Sequence, residues 1–190
     1  MSERTGKTNH IQFIGLIIII FLAVEDFFLI QQNRQLKAEL SPPAMESLRA
    51  GDTVGSFKIK WLDGTVNQIR FDDTAKPYLL FVLSPSCPHC RNNVDRWNDI
   101  VLHNQINHCS ILGISVQSVE RTRVFRDSAN VGFDLAVAAD TSFSRKYKIH
   151  AFPQTILVGG SGRIEKVWMG ELNNEQINEI ERLLNRSVHG

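Results

Sequence analysis

Hydrophobic and polar positions divide the chain into two regimes. From Phe13 to Ile30 the residues are apolar except for Gly15, Glu25 and Asp26, and Ile14–Val24 is almost wholly aliphatic. A helix of about 20 apolar residues crosses a bilayer, and the two acids lie toward the outer end of the run, where charge costs least. The pattern predicts a membrane anchor. A cleaved signal peptide with Ile14–Val24 as its apolar region is the rival, but no small-x-small cleavage site follows. The next stretch, QQNRQLKAEL, is polar and continues the helix as a stalk. Ser41-Pro42-Pro43 ends it, because proline lacks an amide proton and restricts the residue before it. The expected organisation is a cytoplasmic tail over 1–12, a transmembrane anchor over 13–30, a stalk over 31–43 and a globular domain over 44–190.

Within that domain the periodicity switches repeatedly between two and about 3.6 residues. Gly55–Trp61 and Thr65–Phe71 read as strands around an Asp63-Gly64 turn. Tyr78–Leu83 is a continuous apolar run, as a strand buried on both faces requires. A helix is expected from just after Cys87 to about Asn104, with Trp97, Ile100 and Val101 on its apolar face. Cys109–Val116 reads as a strand, Val119–Ala129 as a helix, Phe133–Ala138 as a short strand and Ser142–Tyr147 as a short helix. Thr155–Val158 and Ile164–Met169 form a hairpin around Gly159-Gly160-Ser161-Gly162. The last helix begins at Asn173, with Gln176 completing a capping box, and Ile177, Ile180, Leu183 and Leu184 form one apolar stripe. Strands alternating with helices predict an α/β domain with a mixed sheet covered on both faces.

Composition narrows the chemistry. With 43% hydrophobic and 22% charged residues, the chain is globular rather than disordered. A formal net charge of +1 gives no bulk field to attract nucleic acid. The 3 cysteines, Cys87, Cys90 and Cys109, are too few for a disulfide scaffold. Two of them stand as C-x-x-C, a poor structural staple, because so short a loop restricts the unfolded chain little.

The segment PYLLFVLSPSCPHCRNNVDRW concentrates the reactive groups. A buried strand ends, a short loop follows and Cys87 falls at the start of a helix, where unpaired amides and the helix dipole favour a thiolate. Cys87 is the expected nucleophile. Cys90, one turn further in, is placed to attack a mixed disulfide and release the product. Protonated His89 adds positive charge beside Cys87, and Pro88 fits the first helical turn, where no amide bond is lost. A structural zinc site built from this pair with His103 and His108 lacks a finger-like spacing, and no metal is expected. Ala151-Phe152-Pro153-Gln154-Thr155 precedes a strand, a position that tolerates proline. Cys109 reads as a small buried hydrophobe, with a regulatory thiol as the alternative. His150 is either a surface residue or a tuner of the site. Trp61, Trp97 and Trp168 are core or groove residues.

Together, the anchor, the stalk, the GDTVGSFKIKWLDG hairpin, SCPHC, FPQT and the GGSGRI turn resemble the thioredoxin-like superfamily, and within it the membrane-anchored TlpA/ResA-like, redoxin branch. The similarity covers roughly 51–185. It implies a thioredoxin-like fold with an N-terminal β-hairpin and a helix and strand inserted over about 119–138. It implies that Pro153 is cis beside Cys87, and that Phe152 offers backbone to a substrate peptide. It also implies a thiol–disulfide oxidoreductase whose redox group is the Cys87–Cys90 disulfide, without a further cofactor. Its partners would be protein thiols or disulfides and a membrane or soluble redox protein that resets the pair. The sequence departs from its relatives in three places. Ser86 stands where many have Trp, Asn93 where ResA-like reductants have Glu, and Phe81 where thioredoxins have a buried Asp. The Pro-His pair is the one found in strongly oxidising DsbA-type proteins, so the direction of exchange stays open.

Arg4 and Lys7 precede the anchor and Arg34 and Lys37 follow it, a weak orientation bias. The N-terminus is assigned to the cytoplasm because a short tail then crosses nothing and the CxxC faces an oxidising periplasmic or extracytoplasmic space. Two other functions remain open. A redoxin-type thiol peroxidase would use Ser84 and Pro85 before Cys87, with Arg123 or Arg126 as its cation. A copper(I) chaperone would use both thiolates with His150.

Overall fold

The computed structural model describes residues 5–40, 47–71, 76–103, 109–140 and 142–186. Its contacts separate two units, Met1–Met45 and Glu46–Gly190. In the first unit, α1 (Thr5–Leu40) is one unbroken helix. It takes in the end of the expected tail, the anchor and the stalk. Within it, Ile14–Arg34 has a mean hydropathy of 2.3 and is long and apolar enough to cross a membrane, four residues beyond the expected end at Ile30. The proline break at Ser41-Pro42-Pro43 lies outside the described residues.

The second unit is built on one seven-stranded sheet of order β2-β1-β5-β4-β3-β6-β7. In chain order the elements are β1 (Phe57–Trp61), β2 (Val66–Ile69), β3 (Tyr78–Leu83), α2 (Pro88–His103), β4 (Ser110–Ser115), α3 (Val119–Ala129), β5 (Leu135–Ala138), α4 (Ser142–Lys146), β6 (Gln154–Val158), β7 (Ile164–Met169) and α5 (Asn174–Arg186). Strands β3, β4 and β5 run parallel. The β1–β2 hairpin joins antiparallel to β5, and β6 and β7 join antiparallel beyond β3. The expected helix–strand insertion is therefore α3 and β5, and β5 is the strand that fastens the N-terminal hairpin to the rest of the sheet.

Strand β1 begins at Phe57, two residues later than the expected Gly55. Phe57 faces Ile69 at the end of the hairpin ladder, and the Gly55 carbonyl accepts instead from the Tyr147 hydroxyl at 3.0 Å. That bond ties the Gly55 backbone to Tyr147, outside the hairpin. Helix ends follow their capping residues. Ser118 caps α3 through the Arg121 amide, and Asn130 closes it in the left-handed conformation, φ 54°. Asn173 and Gln176 exchange side-chain and amide hydrogen bonds at 2.9 Å each, the reciprocal box expected at the start of α5. Gly162, at φ +80°, lets the β6–β7 turn meet the segment before β1. A Cβ there would stand 2.5 Å from the Val54 carbonyl oxygen.

Strand β3 sends alternate side chains to opposite faces. Leu80 and Val82 join Ile59, Ile114, Tyr147 and Ile156 in one apolar layer. Leu79, Phe81 and Leu83 join Cys90, Val94, Trp97, Ile100 and Leu184 in the other. Residues Leu79–Leu83 are fully buried, which explains the unbroken apolar run. In the second layer Phe81 stacks on Trp97 with ring centroids 5.0 Å apart. The Trp97 indole donates to the Thr155 hydroxyl at 2.9 Å, tying α2 to β6. Tyrosine and tryptophan are stable in a core when their polar atom finds such a partner.

Trp97→Phe removes that bond and leaves a void over β6. It is expected to lower unfolding free energy by about 2 kcal/mol. The check is urea unfolding of the globular unit in the full chain, read by far-UV circular dichroism.

Candidate active site

The loop between β3 and α2 delivers two sulfurs to different environments. Ser84-Pro85-Ser86 turns the chain, closed by the Cys87 amide donating to the Ser84 carbonyl at 2.9 Å. Cys87 immediately precedes the first residue of α2, and its carbonyl accepts the first helical bonds from Cys90 at 3.2 Å and Arg91 at 3.4 Å. Pro88 takes the first helical position, where its missing amide proton is no loss. The Cys87 side chain is half-buried at a helix N-terminus, and its Sγ lies 3.7 Å from the Phe152 carbonyl oxygen. Phe152-Pro153 is a cis peptide, as the resemblance implied, with Pro153 buried and Phe152 partly exposed.

Cys90 faces inward and is fully buried. The Ser84 amide donates to its sulfur at 3.4 Å. Burial pushes its thiol up to about 12; the Ser84 amide opposes this and the adjoining Cys87 sulfur adds to it. No disulfide joins the cysteines. The arrangement is one accessible sulfur with a protonated one directly behind it. Cys109 belongs to the same core layer as Cys90, and burial likewise pushes it up to about 12.

Phe81 and Asn93, two of the departures noted in the sequence, are neutral groups in the interior. Phe81 is a buried ring on Trp97. Asn93, three residues after Cys90, is fully buried. Its Oδ1 accepts from the Leu172 amide at 2.8 Å, and among the described residues its Nδ2 has no hydrogen-bond partner. Asn93 thus fastens the loop after β7 to the active helix.

Several contributing residues were not foreseen. The His89 ring does not stand alone beside Cys87: its Nδ1 lies 2.6 Å from Glu171 Oε1 in the loop after β7. The same oxygen accepts from Asn92 Nδ2 at 3.1 Å. The His89 hydrogen bond holds the Glu171 carboxyl below its ordinary range, with the Asn92 bond second. Beside Cys87, Gln117 donates to the Ser84 hydroxyl at 2.9 Å and to the Ser86 hydroxyl at 2.6 Å. An open cleft of about 350 Å³ adjoins these residues, lined by Pro85, Ser86, Arg91, Gln117, Val124 and Phe125. Glu171 lies 82 and 79 residues from His89 and Asn92, and Gln117 lies 33 and 31 residues from Ser84 and Ser86, so local sequence carries no signal for them.

Other expected residues stand elsewhere. His150 is exposed. Arg123 donates to the Leu62 carbonyl at 2.6 Å, and Arg126 pairs with Asp127 at 2.7 Å, so both guanidiniums are engaged away from Cys87. His103 pairs with Glu181 at 3.0 Å, and His108 lies outside the described residues. Among the described residues, no group of three or more His, Cys, Asp or Glu side chains is gathered to hold a metal. Trp97 and Trp168 are core residues, and Trp61 packs partly buried against the first apolar layer.

Comparison with solved structures places this fold among thioredoxin-like proteins. The thioredoxin domain of a thiol-disulfide oxidoreductase from Bacteroides vulgatus is similar at a TM-score of 0.62 and 20% identity, covering 73% of this chain and 100% of that one. A thiol:disulfide interchange protein from Bacteroides sp. is similar at 0.63 and 20%, covering 76% and 96%. A peroxiredoxin-like protein from Aquifex aeolicus is similar at 0.61 and 13%, covering 75% and 90%. A search of curated protein sequences finds no match. The AhpC/TSA family profile matches residues 50–167, from the hairpin through both cysteines and the cis-proline to β7, and on that match the chain belongs to the AhpC/TSA family.

Proposed function

We propose that this protein is a membrane-anchored thiol–disulfide oxidoreductase acting on protein substrates through Cys87 and Cys90. One observation carries the reading: a half-exposed sulfur at a helix N-terminus, a buried sulfur one turn behind it, and a peptide carbonyl 3.7 Å from the first. In the reductive direction the Cys87 thiolate attacks one sulfur of a substrate disulfide. A mixed disulfide forms and the other substrate sulfur leaves as a thiolate. Cys90 then loses its proton and attacks Cys87 Sγ, releasing the second substrate thiol and forming the Cys87–Cys90 disulfide. A redox protein carrying a dithiol restores the pair. The reverse sequence, starting from the disulfide, oxidises a substrate dithiol by the same bonds.

The surroundings support protein substrates. The backbone of Phe152 flanks the reactive sulfur and can pair with an extended peptide. The adjoining cleft at Ser86 and Val124 supplies apolar surface for a neighbouring side chain. Pro88 and His89 occupy the positions that tune such a pair. The α1 span fits a single-pass anchor, and the chemistry suits a domain on the periplasmic or other extracytoplasmic side. Exchange is favoured over peroxide reduction because Arg123 and Arg126 are bonded elsewhere and the Ser84 hydroxyl is held by Ser86 and Gln117. Copper carriage is disfavoured because His150 is exposed rather than gathered with the two sulfurs.

Cys87→Ser is expected to abolish exchange in an insulin-reduction or scrambled-substrate assay. Cys90→Ser should form the first bond but fail to resolve it, so mixed disulfides accumulate on non-reducing gels. Full turnover by Cys87→Ser, or peroxide consumption that outpaces disulfide exchange, would overturn the reading. Alkylation gives a separate check. Iodoacetamide at about pH 8, below the raised thiols, should modify Cys87 and spare Cys90 and Cys109. Modification of Cys90 should rise only as pH climbs toward about 12. Peptide mass spectrometry distinguishes the three sites, and equal labelling of Cys87 and Cys90 at the lower pH contradicts the buried-resolver geometry.

A further inference from the structure

Pro-His between two cysteines places an imidazole next to the nucleophile, and a positive imidazole stabilises the thiolate and so makes the pair more oxidising. In this fold that ring has a partner. His89 Nδ1 lies 2.6 Å from Glu171 Oε1, and Asn92, three residues further along the helix, donates to the same oxygen at 3.1 Å. Glu171 is held in place from both sides. The amide of Gly170 donates to the Pro153 carbonyl at 2.9 Å, and the amide of Leu172 donates to buried Asn93 at 2.8 Å. The three-residue loop 170–172 therefore bridges the cis-proline, whose neighbour Phe152 touches Cys87, and the first two turns of α2.

We propose that Glu171 is a positioning and charge-balancing residue that restrains the oxidising power of the Cys87–Cys90 pair by cancelling the charge of His89. The inference rests on the exchange function proposed above. The sign follows from counting charge. With Glu171 ionised, the pair carries zero net charge when His89 is protonated and −1 when it is not. With a neutral amide in its place, the same two states carry +1 and zero. Removing the carboxylate thus leaves the helix start more positive in either state of the ring. A Cys87 thiolate gains stability from that change, the reduced form is favoured and the potential rises. The other charged group acting on Glu171 is Arg96, also on α2 and bonded to Asn174 Oδ1 at 3.3 Å. Its charge is unchanged by the substitution, so it does not alter the sign. A CPHC pair flanked in this way is a weaker oxidant than its dipeptide alone implies.

The test is the redox equilibrium of the full-length protein in detergent with glutathione buffers near neutral pH, read by gel shift after thiol trapping. Glu171→Gln is expected to raise the equilibrium constant for reduction about threefold to tenfold, tenfold being about 30 mV for this two-electron couple. Glu171→Lys should raise it further, giving the order wild type, Gln, Lys. The gaps should narrow in about 1 M salt, where the screening length is about 3 Å. Asn92→Ala removes a hydrogen bond to Glu171 without changing charge and should leave the constant near that of wild type. Glu171 is exposed, and thermal unfolding verifies that each variant is folded. An unchanged or lower constant in both Glu171 variants overturns the proposal. So does a gap insensitive to salt, or one reproduced by Asn92→Ala. If the order holds but no protein disulfide is exchanged, the proposed function fails while the charge balance stands. If the wild-type pair forms no disulfide, both fail.

Discussion

The site depends on the junction between a strand buried on both faces and the helix that follows it. Strand β3 lies between β4 and β6, with side chains locked into separate apolar layers. Its end is therefore fixed in depth as well as direction. Three residues of turn then suffice to bring Cys87 to the surface and return Cys90 to the core. The difference between one reachable thiol and one hidden thiol is a consequence of where β3 stops, and the fully buried Trp97 clamps the helix at that phase through Thr155.

Much of this was legible because the pattern and the capping residues agreed. Tyr78–Leu83 could be read as a central strand from six apolar residues without alternation. Val119–Ala129 carried a serine cap at one end and an asparagine at the other, and its limits match those read from the sequence. Edges were less legible. Strand β1 starts at Phe57 rather than Gly55, whose carbonyl is bonded to Tyr147, a residue 92 positions away. The cis-proline was implied by resemblance rather than by periodicity, and so was the reading of the Val119–Ala129 helix and the Phe133–Ala138 strand as an insertion. No local rule says that β5 lies between β1 and β4, because strand order is a tertiary property. Glu171 was invisible for the same reason. An exposed glutamate after a glycine reads as an ordinary loop residue until the fold brings it to His89.

The neutral side chains of Phe81 and Asn93 have a chemical consequence. A buried carboxylate near the second cysteine accepts its proton when that cysteine becomes the attacking group. Here a phenyl ring and an amide occupy those places, and neither can take up a proton. Burial meanwhile holds Cys90 up at about 12. A thiol so disfavoured as an anion needs a base that approaches from outside the core. On the proposed exchange such a base would enter from the half-exposed side of the site, where Cys87 meets Phe152.

That view joins the charge balance to the neutral interior. The core contributes no ionised group to the pair, so the electrostatics acting on Cys87 come from the helix terminus and from the surface loop that carries Glu171. Interior charges are costly to place and hard to adjust, because each needs compensating partners. Surface charges act more weakly but can change by single substitutions without disturbing packing. In this chain the scaffold supplies position and exclusion of water. On the proposed charge balance, adjustment of the redox pair falls to residues 170–172, a loop that contacts the cis-proline on one side and the helix after Cys87 on the other.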